Sequence, residues 1–236
     1  MTSRSGALLA RTLCRGAFLL LAGCSHAGTA ARVPASPPVN TADLVVATDA
    51  AADALLVDIQ PDAPEIRVEL RYATANNFTG APLPGYEGNH AYLRREAAGA
   101  LARVARRAAA EGYLLQVFDA YRPVRATLGM VAWTERVGRT DLLRDGYIAS
   151  RSRHNLGLAI DLTLLDRATG APLVMGTPFD EFSTAAHTAN ASGAARANRD
   201  TLRRLMEPEG FVNYDQEWWH YTFAADNPVR FDRVIR

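Results

Sequence analysis

Little sulfur chemistry is available to this chain of 236 residues, which holds two cysteines, Cys14 and Cys24, both near the N-terminus. Beyond Cys24 there is none, so disulfide staples and thiolate nucleophiles are excluded from the body of the chain. Excess charge is also missing: acids and bases nearly cancel to a formal net charge of +1. With no basic patch, no nucleic acid is expected as a partner. No segment repeats. The longest apolar run near the N-terminus is too short to cross a bilayer as a helix. What is present is an ordinary globular composition, 48% apolar, at a length that suits one medium domain.

The first residues form a separate category. Arg4, Arg11 and Arg15 precede "AFLLLAGC", a short apolar run ending in small residues. That is the layout of a secretory signal. Leu21-Ala22-Gly23-Cys24 is similar to a bacterial lipobox, which implies cleavage before Cys24 and a lipid on it. The expected division is a lipoprotein signal over 1–23, a lipid-anchored Cys24 with an Ala/Ser/Pro-rich tether over 24–54, and a domain over 55–236. The chain would then sit on the periplasmic side of a bacterial envelope, held to a membrane by its N-terminal lipid.

Within the domain, "EIRVELRYAT" (65–74) has strand composition, and residues 93–112 predict a helix closed by Gly112. "YLLQVFDAY" (113–121) predicts a buried strand. Pro123 then suits the first turn of a helix running to Val137, which puts Arg122 at a strand-to-helix junction. Residues 154–165 begin as a turn and become a strand near Leu158, and residues 198–210 predict a third helix. "FVNYDQEWWHYTF" closes the sheet. Strands and helices do not alternate regularly. The expected fold class is therefore α+β: a single domain with a mainly antiparallel central sheet flanked by helices.

Two of the five histidines keep informative company. His154 lies in "SRHNLGLAID", seven residues before Asp161. An Asp inside the apolar run "LGLAIDLTLL" is costly to bury unless paired or coordinated. The odd spacing would put the two side chains on opposite faces of one straight strand. His154 should therefore lie on a loop and Asp161 on the strand, with Gly157 permitting the bend. His220 is the third expected ligand; two His and one carboxylate leave an open tetrahedral position, as in catalytic zinc sites, though the set also suits Fe(II) or Co(II). Glu217 in "EWWH" is the expected general base, which requires a bend between it and His220. Trp218 and Trp219 would wall the site. Arg122 could stabilise an oxyanion.

These strings resemble a known family. "SRHNLGLAIDLTL" is similar to the Ser-x-His-x-x-Gly-x-Ala-x-Asp motif of zinc D-Ala-D-Ala peptidases, and "EWWH" to their Glu-x-x-His. "RYATANNFTG", "DAYRP", "MGTPFDEFS" and "NRDTLRRLMEPEGF" resemble the D-alanyl-D-alanine dipeptidase branch, which contains the vancomycin-resistance dipeptidases. The resemblance implies one Zn2+ held in a narrow cleft by His154, Asp161 and His220, with Glu217 as base then acid and Arg122 stabilising the transition state. It further implies substrate contacts from Tyr72, Ser152 and Asp180: Asp180 to the substrate ammonium, Ser152 to its carboxylate. The implied reaction is hydrolysis of D-Ala-D-Ala to two D-alanines, serving wall turnover or salvage. Two rival functions are a D,D-carboxypeptidase trimming peptidoglycan peptides and a non-catalytic wall-binding lipoprotein. An intact Glu217 argues against the second, since binding alone needs no base.

Overall fold

The computed structural model describes residues 45–236. The signal over 1–23, the lipidation at Cys24 and the tether as far as residue 44 lie outside the described residues. The remainder of the expected tether does not behave as one. It carries β1 (Val46–Ala47) and α1 (Asp49–Leu55), whose Thr48 N-cap side chain accepts from the Ala51 N–H. β1 pairs in parallel with β9 (Arg230–Phe231), close to the other end of the chain. The domain therefore begins before residue 55: a cap and a distant strand partner order a segment whose composition alone looks like linker.

β2 (Leu56–Asp58) follows and pairs antiparallel with β4 (Tyr92–Arg94). The strand expected over 65–74 shrinks to β3 (Arg67–Val68), after which a 3-10 turn at Arg71–Ala73 buries Tyr72. α2 (Arg95–Ala110) turns its Leu101 and Val104 face and six alanines into the core. It ends as expected, with Gly112 at φ 86° just beyond. Next come β5 (Tyr113–Asp119), α3 (Val124–Val137), α4 (Asp141–Arg144) and β6 (Ala159–Asp166). α5 (Gly193–Met206) begins five residues ahead of its expected start, and β7 (Phe211–Asn213) and β8 (His220–Phe223) close the sheet.

The central sheet has five strands in the order β3-β5-β6-β8-β7. All its pairs are antiparallel except β3 with β5, and helices flank it, so the expected α+β class holds. β6 is buried along nearly its whole length, with Asp161 among its apolar residues. The β5–β6 register shifts between Val117 and Asp119, so that Asp119 stands opposite Asp161; Asp161 in turn stands opposite His220 on β8. A bulge re-aims one side chain in this way, and here it aligns three polar groups in a row across one sheet face.

Candidate metal centre and active site

His154 reaches this row from a 3-10 turn at Arg153–Leu156, capped by the Ser152 side chain, which accepts from the His154 N–H. The turn ends at Gly157, with φ 64°. A Cβ there would lie 2.5 Å from the Leu56 side chain, so this position needs glycine for both its left-handed conformation and its space. The bend expected before β6 is therefore present, with His154 on the turn and Asp161 on the strand. The second expected bend is present too. The Glu217 N–H donates to the Tyr214 carbonyl and the His220 N–H to the Glu217 carbonyl, two successive tight turns. Asn213 holds the loop by donating its side-chain amide to the carbonyls of Glu217 and His220.

The three expected ligands converge. His220 Nδ1 lies 2.9 Å from Asp161 Oδ1 and 3.1 Å from His154 Nε2, and His154 Nε2 lies 3.4 Å from Asp161 Oδ1. Donor atoms on a tetrahedron with ~2.0–2.1 Å metal bonds lie about 3.3 Å apart, so the spacing fits a metal ion. Protonation supports the same conclusion. His154 Nδ1 lies 2.6 Å from the Ala120 carbonyl, which only accepts, so Nδ1 carries the hydrogen and Nε2 turns a lone pair on the other two donors. These residues form a group able to hold a metal ion.

Arg122 sits at the β5–α3 junction, as expected, and is buried. Its Nε and Nη2 each lie 2.8 Å from Asp119 Oδ2, and Nη2 lies 3.6 Å from Asp161 Oδ2. Its guanidinium also rests over the Tyr72 ring, 5.0 Å from the centroid. Asp119 is the group that sequence reasoning missed. It is fully buried, accepts from Tyr86 Oη at 2.6 Å and lies 3.4 Å from His154 Nδ1, thus fixing the arginine and bracing a ligand together. An acid in the apolar run "YLLQVFDAY" is the same signal that marked Asp161.

Glu217 is buried, and its carboxylate approaches His220 Nδ1 only to 4.0 Å. Burial pushes its pKa well above the ordinary carboxylate value, and the charges of Asp161 and Asp180 add to the rise. Asp180 is raised as well, first by burial and then by Asp161, against the hydrogen bond from Tyr72. Tyr72 Oη donates to both oxygens of Asp180, at 3.0 and 3.2 Å. Asp180 holds φ 61°, a left-handed conformation uncommon outside glycine. Tyr72, Ser152, Asp180, Arg122, Glu217 and the three ligands all line one cavity of about 510 Å³. The other two described histidines lie apart: His90 pairs with Asp58, and His187 Nε2 meets Tyr147 Oη at 3.1 Å.

A metal triangle beside an uncoordinated acid and a braced guanidinium serves peptide-bond hydrolysis, and the chain is an enzyme of the metallopeptidase class. A family model described as peptidase M15, D-ala-D-ala dipeptidase, matches residues 52–234, and the chain belongs to that family. It is 39% identical over 176 residues to a D-alanyl-D-alanine dipeptidase of Enterococcus faecium, covering 68% of this chain and 87% of that protein. It is 36% identical over 182 residues to the Escherichia coli protein of that name, covering 75% and 90%. A Streptomyces coelicolor protein of the same name is 36% identical over 176 residues, covering 68% and 87%.

Proposed function

We propose that this chain hydrolyses D-Ala-D-Ala to two molecules of D-alanine, using a zinc ion held by His154, Asp161 and His220. The carrying observation is the convergence of those three donors at 2.9–3.4 Å beside an acid that ligates nothing. Zinc, when bound, supplies Lewis acidity, polarising the scissile carbonyl and acidifying water. Glu217 takes a proton from the attacking water and returns it to the leaving amine, and its raised pKa makes it a stronger base than an ordinary carboxylate. Arg122, held by Asp119, faces the negative charge that grows on the carbonyl oxygen. Asp180 receives the substrate ammonium. Its only hydrogen-bond partner among the described residues is the Tyr72 hydroxyl, so the carboxylate lacks a close cation until substrate arrives. Ser152 Oγ already accepts from the His154 N–H, which leaves its own hydrogen to donate to the substrate carboxylate.

A free dipeptide carries both charges that Asp180 and Ser152 would meet, whereas an acylated peptide has no ammonium there. The deciding assay compares D-alanine release from D-Ala-D-Ala and from an N-acylated tripeptide ending in D-Ala-D-Ala, with chelation and zinc restoration as controls. Faster cleavage of the acylated peptide would make the chain a D,D-carboxypeptidase. No turnover of either by zinc-loaded protein would leave the wall-binding function. The chain is further proposed to be exported and anchored at Cys24, where it would salvage dipeptide released in wall turnover; the support is the arginine-rich start, the short apolar run and Leu21-Ala22-Gly23-Cys24. Detergent phase partition tests this: Cys24→Ala should move the protein to the aqueous phase, and an unchanged distribution would remove the anchor.

A further inference from the structure

Of the two tryptophans of "EWWH", only Trp219 lines the cavity, yet both hold a neighbouring segment in place. Trp218 Nε1 donates to Thr177 Oγ1 at 2.8 Å. Thr177 stands three residues before Asp180, with Pro178 between them stiffening the chain. Trp219 packs edge-on against Phe179, with ring centroids 5.5 Å apart at 75°. Both indoles are buried. The segment just ahead of Asp180 is therefore gripped twice by the two residues that follow Glu217. Asp180 itself holds a left-handed conformation, which persists where surrounding contacts over-determine it.

We propose that Trp218 and Thr177 are positioning residues that set the distance between the ammonium-binding Asp180 and the proton-transferring Glu217. Because Glu217 and Trp218 are adjacent in the chain, the Trp218–Thr177 hydrogen bond fixes the Asp180 segment to the segment carrying the base. In a dipeptidase, the span between these two carboxylates has to suit the span from the substrate ammonium to its scissile bond. Dipeptide length is thus measured between two elements locked to each other. Small displacements at such a site are costly, because the substrate's charged end and its reacting centre must fit together. This inference rests on the dipeptidase function proposed for the same site.

A buried indole N–H also needs an acceptor for purely structural reasons, and the test separates the two roles. Thr177→Val removes the acceptor, Trp218→Phe removes the donor, and Thr177→Ser keeps the bond. In the zinc-loaded full chain, Thr177→Val and Trp218→Phe should each raise KM for D-Ala-D-Ala about tenfold with kcat within about twofold, while Thr177→Ser stays near the parent. In a Glu217→Gln background, the calorimetric Kd for D-Ala-D-Ala should rise by the same factor. The double variant Thr177→Val/Trp218→Phe, with no donor left unpaired, should recover thermal stability relative to Thr177→Val yet keep the raised KM. A KM that returns to the parent value as stability returns would reduce the bond to a structural role, and a KM unchanged in both single variants would overturn the proposal outright. A parent protein that fails to hydrolyse D-Ala-D-Ala would overturn the dipeptidase function, and this inference with it.

Discussion

Asp119→Ala should destabilise the domain sharply, and adding Arg122→Met should reverse most of the loss. Asp119 is fully buried, and its Oδ2 lies 2.8 Å from two nitrogens of a largely buried guanidinium. Once it is removed, the nearest counter-charge to Arg122 is Asp161 Oδ2 at 3.6 Å, and the Tyr86 hydroxyl loses its 2.6 Å acceptor. Stranding a buried charge costs about 3–5 kcal/mol, a large part of the ~5–15 kcal/mol that holds a typical domain together. At roughly 2–4 °C per kcal/mol for a domain of this size, the unfolding midpoint should fall by about 6–20 °C. Replacing both partners leaves no uncompensated charge, so the double variant should be more stable than Asp119→Ala alone. Urea unfolding of the parent, both single variants and the double variant measures this coupling directly. If the double variant's loss equals the sum of the singles within about 0.5 kcal/mol, the pair is not the unit described here. Asp119→Asn, which keeps an acceptor but not the charge, should lie between parent and alanine in stability and should lower kcat as the arginine loses its brace.

The two members of "EWWH" that carry chemistry should separate cleanly. Glu217→Ala should keep one zinc per chain by elemental analysis and lose turnover by several decades, whereas His220→Ala should lose stoichiometric zinc; full metal in the latter would remove His220 from the ligand set. Gly157→Ala combines a left-handed backbone with a 2.5 Å approach to Leu56, which together cost about 2–5 kcal/mol, so both melting temperature and zinc affinity should fall, and a variant matching the parent in both would refute the bend's role. The acid limb of kcat/KM should lie above 4.5, the ordinary carboxyl value, because burial raises Glu217 and it must be ionised to act; a limb at or below 4.5 would count against Glu217 as the base. The same shift has a stability sign. A carboxyl whose folded pKa exceeds its unfolded one costs stability as pH rises through that window, so Glu217→Gln should melt no lower than the parent at neutral pH.

Much of the site was legible because its parts are crowded into short strings with internal contradictions. An odd spacing between His154 and Asp161, and another between Glu217 and His220, cannot serve one site on straight strands, so each demanded a bend, and each bend is there. Arg122 was legible from Pro123, which stands at the N-cap of α3. Asp119 was not, because its partners Tyr86, Arg122 and His154 meet only after a bulge turns it toward them. The N-terminal elements escaped for a related reason: β1 pairs with residues near the opposite end of the chain, and no local pattern reports a partner that distant. Nor could the region around Asp180 be read as more than loop, since much of its order comes from elsewhere. Arg199 on α5 donates to the carbonyls of Met175, Ala185 and His187, and Trp218 holds Thr177.

The pairing of Asp161 with His220 makes the metal centre a check on assembly. Side chains alternate faces along a strand, so if β8 slipped by one residue against β6, His220 would point away from Asp161 and from His154. A chain that mispaired its last hairpin would not be a weakened enzyme with a loose ion. It would have no binding site, and Glu217 would be displaced with it. Bound metal should therefore report correct threading of the C-terminal hairpin, and refolding with the ion present should favour the one register in which all three donors meet.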